Sequence, residues 1–326
     1  MEENKTFTGC LEDTRSEKEK AKDWYKDLSM AGPVKWEEKT FEDVVPLPVR
    51  NQDGSGSCVA QTLALMMGIE NFLEEGKFLE FSAGDIYIRR SNEGAGMIGV
   101  EAFEIVRKNG ATLEASMPSQ NIGEYEINKL VRTEADVQIG KIFKIKDYKQ
   151  IAFSMDSIAT IMEMKTRDRV KKPLMMWFRF PRVEWNAIPQ VTQTTKDWVH
   201  HSTTGRDYGL MNGVKHSFNQ DSWGLHSTTM QGLRALSESY LKRMTFCGYM
   251  NDLPNDHQST PEVTITSILR AGSKGDEVKE LQRLLNITVD GDFGPNTLRA
   301  VMDFQLRHGL LPDGVVGPLT LDRLTK

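Results

Sequence analysis

The stretch "VRNQDGSGSCVAQTLALMMGIENF", residues 49–72, decides how the chain is read. A Gly- and Ser-rich turn leads into Cys58, and an apolar run follows with Leu63, Met66, Met67 and Phe72 at helical spacing, stopped near Gly76. A thiol at a helix N-terminus has one of the two influences that lower a cysteine pKa, the second being a neighbouring imidazolium. Taken alone, the stretch also reads as core packing, since free cysteine is among the most buried residue types. The rest of the chain has to decide between a nucleophile and a buried filler.

Composition narrows the field. The chain has 326 residues, 41 Lys and Arg against 46 Asp and Glu, and a formal charge of −5. Nucleic-acid binding by counterion release needs clustered cations, so this balance argues against a nucleic-acid partner. At 39% hydrophobic and 27% charged residues the chain is an ordinary globular one, with room for two domains and no membrane span. Three cysteines (Cys10, Cys58 and Cys247) cannot build a disulfide framework. The start, "MEENKTFTGCLEDTRSEKEKAKDW", is charged where a secretory signal is apolar, so synthesis in the cytoplasm without a signal peptide is expected.

Periodicity breaks at "NDLPNDHQSTPEVT", residues 251–264, which reads as a linker. Beyond it the form D-G-x-x-G-P-x-T-L occurs twice, from Asp290 and from Asp313, with Pro295 and Pro318 suited to the first position of a helix. "GDEVKELQRLL" puts Val278, Leu281, Leu284 and Leu285 on one helical face behind Asp276 as the expected cap. Three helices in about 60 residues make a small bundle. Upstream, "GVEAFEIVRKNG" (99–110) reads as a helix, "PLMMWFRF" (173–180) and residues 198–223 as strands, and "LMNG" (210–213) as a hairpin turn. Helices early and strands late predict an α+β protein with a helical lobe, a β lobe and a cleft between them.

For chemistry, "WVHHSTTGRDYGLMNGVKHSFNQDSWG" (198–224) supplies imidazoles and a carboxylate, while the Gln52 amide and the Cys58 N–H could hold an oxyanion. Together these blocks resemble the papain-like cysteine peptidases. "PVRNQDGSGSCVA" is similar to that family's nucleophile segment, with Gln52 in the oxyanion position and Cys58 as nucleophile. "WEEKTFEDVVPLPVRNQ" is similar to the tryptophan-led segment before it, "GVEAFEIVRKNGATLEASMP" to the second lobe helix and its loop, and "NQDSWG" to the block that usually reads N-S-W-G. The resemblance spans residues 36–225.

The resemblance implies a two-lobe fold, a Cys58–His201–Asp221 triad and Trp223 as a shield for the His201–Asp221 hydrogen bond. His201 is chosen over His200 because a strand allows one of them to face the cleft, and because the family places a small residue, here Ser202, after its histidine. Gly94 and Gly96 are expected to let a substrate backbone approach. Two departures stand out: Val59 replaces the usual Trp, and Asp221 replaces the usual Asn, which adds charge that favours the imidazolium.

The C-terminal blocks "LRAGSKGDEVKELQRLLN" and "FQLRHGLLPDGVVGPLTLDRL" resemble the three-helix peptidoglycan-binding domain. The division expected is therefore an N-terminal extension (1–35), a peptidase domain (36–250), a linker (251–265) and a peptidoglycan-binding domain (266–326). The expected activity is that of a monomeric endopeptidase without metal or cofactor, acting at the bacterial cell wall on peptidoglycan peptides in the manner of a phage lysin. The alternatives are a wall-tethered protease acting on proteins and a silent wall-binding protein. Residues 1–35 are expected to pack along the peptidase without occluding it.

Overall fold

The computed structural model describes residues 9–23, 34–224, 232–251, 265, 267–285, 287–308 and 310–324. The chain divides into two compact units, Met1–Asn255 and Asp256–Lys326. Most of the expected linker (252–264), together with His226 and His257, lies outside the described residues.

The N-terminal unit begins with a segment, residues 9–16, that leads into the short helix α1 (Glu17–Lys20). The central helix α2 runs Cys58–Glu75, its stretch of small and apolar residues buried on nearly every side. It ends at Gly76, where φ of +73° gives the left-handed cap that a residue with a side chain adopts only at a cost. Around it lie α3 (Ala83–Tyr87), α4 (Gly99–Asn109), α5 (Glu124–Ile127) and α6 (Glu134–Ile142). Val100, Phe103 and Val106 of α4 pack with Leu63, Met66 and Met67 of α2 in one apolar cluster, as the 3.6-residue spacing predicts.

The second half is a six-stranded antiparallel sheet with a helix between its first and second strands in the chain. Its strands are β1 (Asp147–Gln150), β4 (Leu174–Pro181), β5 (Trp198–Met211), β6 (Val214–Gln220), β7 (Leu233–Ser237) and β8 (Met244–Asn251), in the order β1-β8-β4-β5-β6-β7. Helix α7 (Met155–Glu163) and the two-residue strands β2 (Thr166–Arg167) and β3 (Val170–Lys171) lie between β1 and β4 in the chain. Strands β5 and β6 meet in the expected tight hairpin: Met211 pairs with Val214, and Asn212 and Gly213 both have positive φ. The two larger apolar cores of this unit lie one among the helices, reaching Trp177 and Phe246, and the other against the sheet around Phe178, Phe180 and Tyr240, with smaller clusters around Phe218 and Ile69. The α+β expectation and the strand assignments hold.

In the C-terminal unit α8 (Asp276–Leu284), α9 (Pro295–Arg307) and α10 (Pro318–Leu324) enclose Leu269, Val278, Leu281, Phe293, Val301 and Val316. The cap of α8 is Gly275, and Asp276, expected there, is the first helical residue, its carboxylate paired with Lys279 at 2.8 Å. The sequence repeat has a structural counterpart. Gln282 donates to Asp290 Oδ1, Asp292 O and Thr297 Oγ1 at 2.7, 2.9 and 3.0 Å; Gln305 donates to Asp313 Oδ1, Val315 O and Thr320 Oγ1 at 2.8, 3.0 and 3.1 Å.

Candidate active site

Cys58 is the first residue of α2, so its thiol sits in the positive end of the helix dipole. Helix α2 packs against β5, where Ser202 Oγ donates to Thr62 Oγ1 at 3.0 Å, and the Ser202 backbone N–H is directed at the Cys58 sulfur. His201 precedes Ser202 on the same strand. Alternation separates the two histidines as expected: His201 is 1% exposed, whereas His200 is half-buried and its ring meets the Cys10 main chain.

His201 Nε2 donates to Asp221 Oδ1 at 2.7 Å. That bond leaves Nδ1 as the ring nitrogen available to the thiol. Asp221 is fully buried, and although burial alone would raise its pKa, His201 and Arg234 together hold the carboxyl well below the ordinary carboxylate range. The Trp223 ring lies 4.3 Å from the imidazole, centroid to centroid.

Gln52 is tied into the same corner. Its N–H donates to Ser222 O at 2.8 Å and its Oε1 accepts from Ser222 Oγ at 2.7 Å. One amide hydrogen goes to Ser55 O at 2.5 Å, and an amide carries two. Glu124 accepts from Gly56 N at 2.7 Å and from the Tyr87 hydroxyl at 2.9 Å, and that hydroxyl in turn accepts from Gly96 N at 2.8 Å. The loop before Cys58 and the loop at Gly96 are thereby fixed to each other.

The structure thus brings Gln52, Cys58, His201, Asp221 and Trp223 into one place, and it treats the two glycines differently. Gly94 has open space around its α-carbon, while Gly96 is pressed against Gly56, where a Cβ would fall 2.4 Å from Gly96 N. The backbone that pairs with an incoming chain is that of Met97. Its N–H donates to Gly9 O and its carbonyl accepts from Leu11 N, both at 3.0 Å.

That incoming chain is the protein's own N-terminal segment, which corrects the expectation that it leaves the cleft open. A methyl group on Gly9 would stand 2.5 Å from Cys58 Sγ and 3.1 Å from Gly56 O. Cys58 is consequently 0% exposed, and burial, aided by the Asp221 charge and opposed by the Ser202 and Val59 N–H groups, pushes its thiol up to about 12. Covered in this way, the sulfur is a neutral thiol and a poor nucleophile. Within the segment, Arg15 pairs with Asp13 and Asp23 at 2.8 and 2.6 Å. All three cysteines are free and buried.

Sequence reasoning missed Gly9, Met97, Trp185 and Arg234. Trp185 Nε1 and Arg234 Nε both donate to Asp221 Oδ2, at 2.9 and 2.5 Å. Neither lies in a block with a recognisable pattern: Arg234 reaches residue 221 through the pairing of β6 with β7, and Trp185 from the turn after β4.

Comparison with known proteins agrees with this geometry unit by unit. Residues 274–324 match the family described as "Putative peptidoglycan binding domain". The chain is also 36% identical over 69 residues to the zinc D-Ala-D-Ala carboxypeptidase of Streptomyces albus G, covering 19% of this chain and 27% of that protein. The chain is 24% identical over 185 residues to a cathepsin L-like proteinase of Phaedon cochleariae, covering 55% of this chain and 53% of that one. It therefore spans between about a quarter and a half of these relatives' length. Among solved structures it is similar to xylellain, a cysteine protease from Xylella fastidiosa, with a TM-score of 0.60, 16% identity, and coverage of 76% of this chain and 96% of that one. The N-terminal unit has the papain-like cysteine protease fold, and the C-terminal unit carries a peptidoglycan-binding domain.

Proposed function

We propose that the chain is a thiol endopeptidase directed to the bacterial cell wall by residues 266–326, cleaving peptidoglycan peptides as a phage lysin does. The observation that carries the reading is the convergence at the start of α2: a thiol at the helix N-terminus, the His201 imidazole on the adjoining strand, and the Nε2 of that imidazole committed to a buried carboxylate. Once residues 9–13 leave the cleft, the thiol regains water and the imidazole, and its pKa falls toward that of a thiolate–imidazolium pair. Cys58 Sγ then attacks the amide carbon. The free Gln52 amide hydrogen and the Cys58 N–H receive the oxyanion, His201 delivers its Nδ1 proton to the leaving amine, and water drawn to His201 hydrolyses the thioester.

A wall-bound protease acting on proteins is the second reading, favoured by the similarity to a cathepsin L-like proteinase. One experiment separates the two. Wild type and Cys58→Ala are incubated with purified sacculi and with casein, and the newly released amino groups are identified. New amino termini from stem or cross-bridge peptides, absent with Cys58→Ala, establish the wall substrate; release from casein alone establishes the second reading. Hydrolysis that survives Cys58→Ala rejects both.

A further inference from the structure

Asp221 is not a solitary carboxylate behind the imidazole. Its Oδ1 accepts from His201 Nε2 and from the Ser222 N–H, both at 2.7 Å, and its Oδ2 accepts from Arg234 Nε at 2.5 Å and Trp185 Nε1 at 2.9 Å. Both side chains of the Arg234–Asp221 pair are 3% exposed or less. The guanidinium lies over Trp185 and Trp223, 4.7 and 5.7 Å from the ring centroids. Taking an arginine this far from water carries a desolvation penalty before its pairing is counted, and an apolar residue would fill the same space without that cost. Packing alone therefore does not account for a cation here.

We propose that Arg234 is a positioning residue that cancels the charge of Asp221 and locks the carboxylate's orientation, so that His201 meets an oriented acceptor of little net charge. The inference rests on the thiol-peptidase reading and explains how an aspartate works where the family pattern has the neutral Asn. An uncompensated carboxylate would over-stabilise the imidazolium and hold back the proton that the leaving amine needs. With Arg234 in place the carboxylate keeps its geometry while much of its field is offset.

Among the described residues, the titratable groups that face the His201–Asp221 pair are Cys58 from α2 and Arg234 from β7. One layer further out lie Tyr240, Glu184 and Arg243, the last two paired at 2.6 Å. Cys10 of the N-terminal segment neighbours Cys58, and Glu12 and Arg179 flank His200.

The test compares alkaline limbs of pH profiles in the full chain. Two readouts are used, kcat/KM on a short fluorogenic peptide and the rate of Cys58 alkylation by iodoacetamide with the modified residue identified by mass. Arg234→Gln moves the alkaline limb up by about one pH unit, the size of one unmasked charge at this range. Arg234→Lys keeps the charge and leaves the limb near wild type. Asp221→Asn, which keeps Arg234, moves it down. The decisive variant is Asp221→Asn combined with Arg234→Gln, which buries no charge and is the one expected to fold most readily: its limb coincides with that of wild type. A double variant with a limb about one unit below wild type shows that the Asp221 charge reaches His201 uncancelled and overturns the proposal. So do coincident limbs for wild type and Arg234→Gln with only a lowered melting temperature, the signature of a packing role. Failure of the thiol-peptidase reading has a different signature, hydrolysis that survives Cys58→Ala.

Discussion

The two units satisfy their buried polar groups in opposite ways. In the C-terminal unit each cluster is neutral at its centre, closes within fifteen residues and is built twice: Gln282 bonds to Asp290 and Thr297, and Gln305 to Asp313 and Thr320. In the N-terminal unit the cluster around Asp221 is charged, exists once, and gathers residues 185, 201, 222 and 234, while Gln52 and Ser222 meet across 170 positions. A local cluster depends on one turn and its helix. A dispersed one depends on the register of the whole sheet, and in return it places charges where no single turn could. The second arrangement is the one that can perform chemistry, and it is also the one that a distant substitution can disturb.

The sharpest test of that contrast lies on one strand. His201→Ala should lower kcat/KM by about a hundredfold or more, the usual scale for losing a general acid–base, whereas His200→Ala should lower it little, because its ring touches the Cys10 main chain and not Asp221. Steady-state rates of the two full-length variants decide this. Equal losses would mean that the dispersed cluster does not single out one imidazole. In neither variant should the melting transition of the C-terminal unit move.

A second test acts on the cover. Gly9→Val places atoms where Cys58 Sγ already lies, and overpacking of this kind costs about 1–3 kcal/mol, or about 5- to 150-fold in the covered–open equilibrium. The rate of peptide hydrolysis should rise by a factor in that range, with wall pelleting unchanged. An unchanged or lower rate would show that residues 9–13 do not limit access to Cys58.

The same contrast explains what the chain made legible. Helix α2 with its Gly76 stop, the Asn212–Gly213 turn and the doubled D-G-x-x-G-P form are each written in adjacent residues, and so are readable without coordinates. Period-two alternation, a local rule, separates His200 from His201, and the family resemblance, through Ser202, is what selected His201. Arg234 was invisible because its meeting with Asp221 depends on strand pairing, Asn219 with Arg234, and Trp185 because it reaches Asp221 from the turn after β4, 36 positions away in the chain. The cover was misread for a related reason: a short, charged segment expected to pack along the peptidase carries no pattern that says where, and only the Met97 pairing shows that Gly9 reaches the thiol.

A third prediction examines the repeat. Gln282→Ala strips Asp290 N and Gly291 N of their acceptor, and Gln305→Ala does the same to Gly314 N, so each should destabilise the C-terminal unit by about 1–3 kcal/mol. Calorimetry of the full chain should show two similar downward shifts in that unit's transition and none in the other. Markedly unequal shifts would mean that the two clusters are alike in pattern but not in energetic role.

The smallest expected effect concerns pH, and the two units should again differ. Asp290 and Asp313 are held below the ordinary carboxylate range, first by the backbone N–H groups of Asp292 and Val315, so their contributions are present above that range and are lost only as acid protonates them. Alkali should leave the repeats untouched. Cys58 behaves in the opposite sense: covering raises its thiol to about 12, so the thiol favours the covered state below its open-state pKa and withdraws that support as pH rises toward 12. With an ordinary open-state thiol near 8.5, the cover should loosen about fourfold between neutral pH and pH 9, and pairing with His201 would start the loosening at lower pH. The Leu11 amide, which donates to Met97 O, reports it directly through hydrogen exchange corrected for intrinsic base catalysis. Its protection should fall with pH in wild type and stay level in Cys58→Ala, where no thiol can ionise. Parallel protection in the two proteins would mean that the sulfur ionises without displacing Gly9, and the cover would then have to respond to some group other than the thiol it covers.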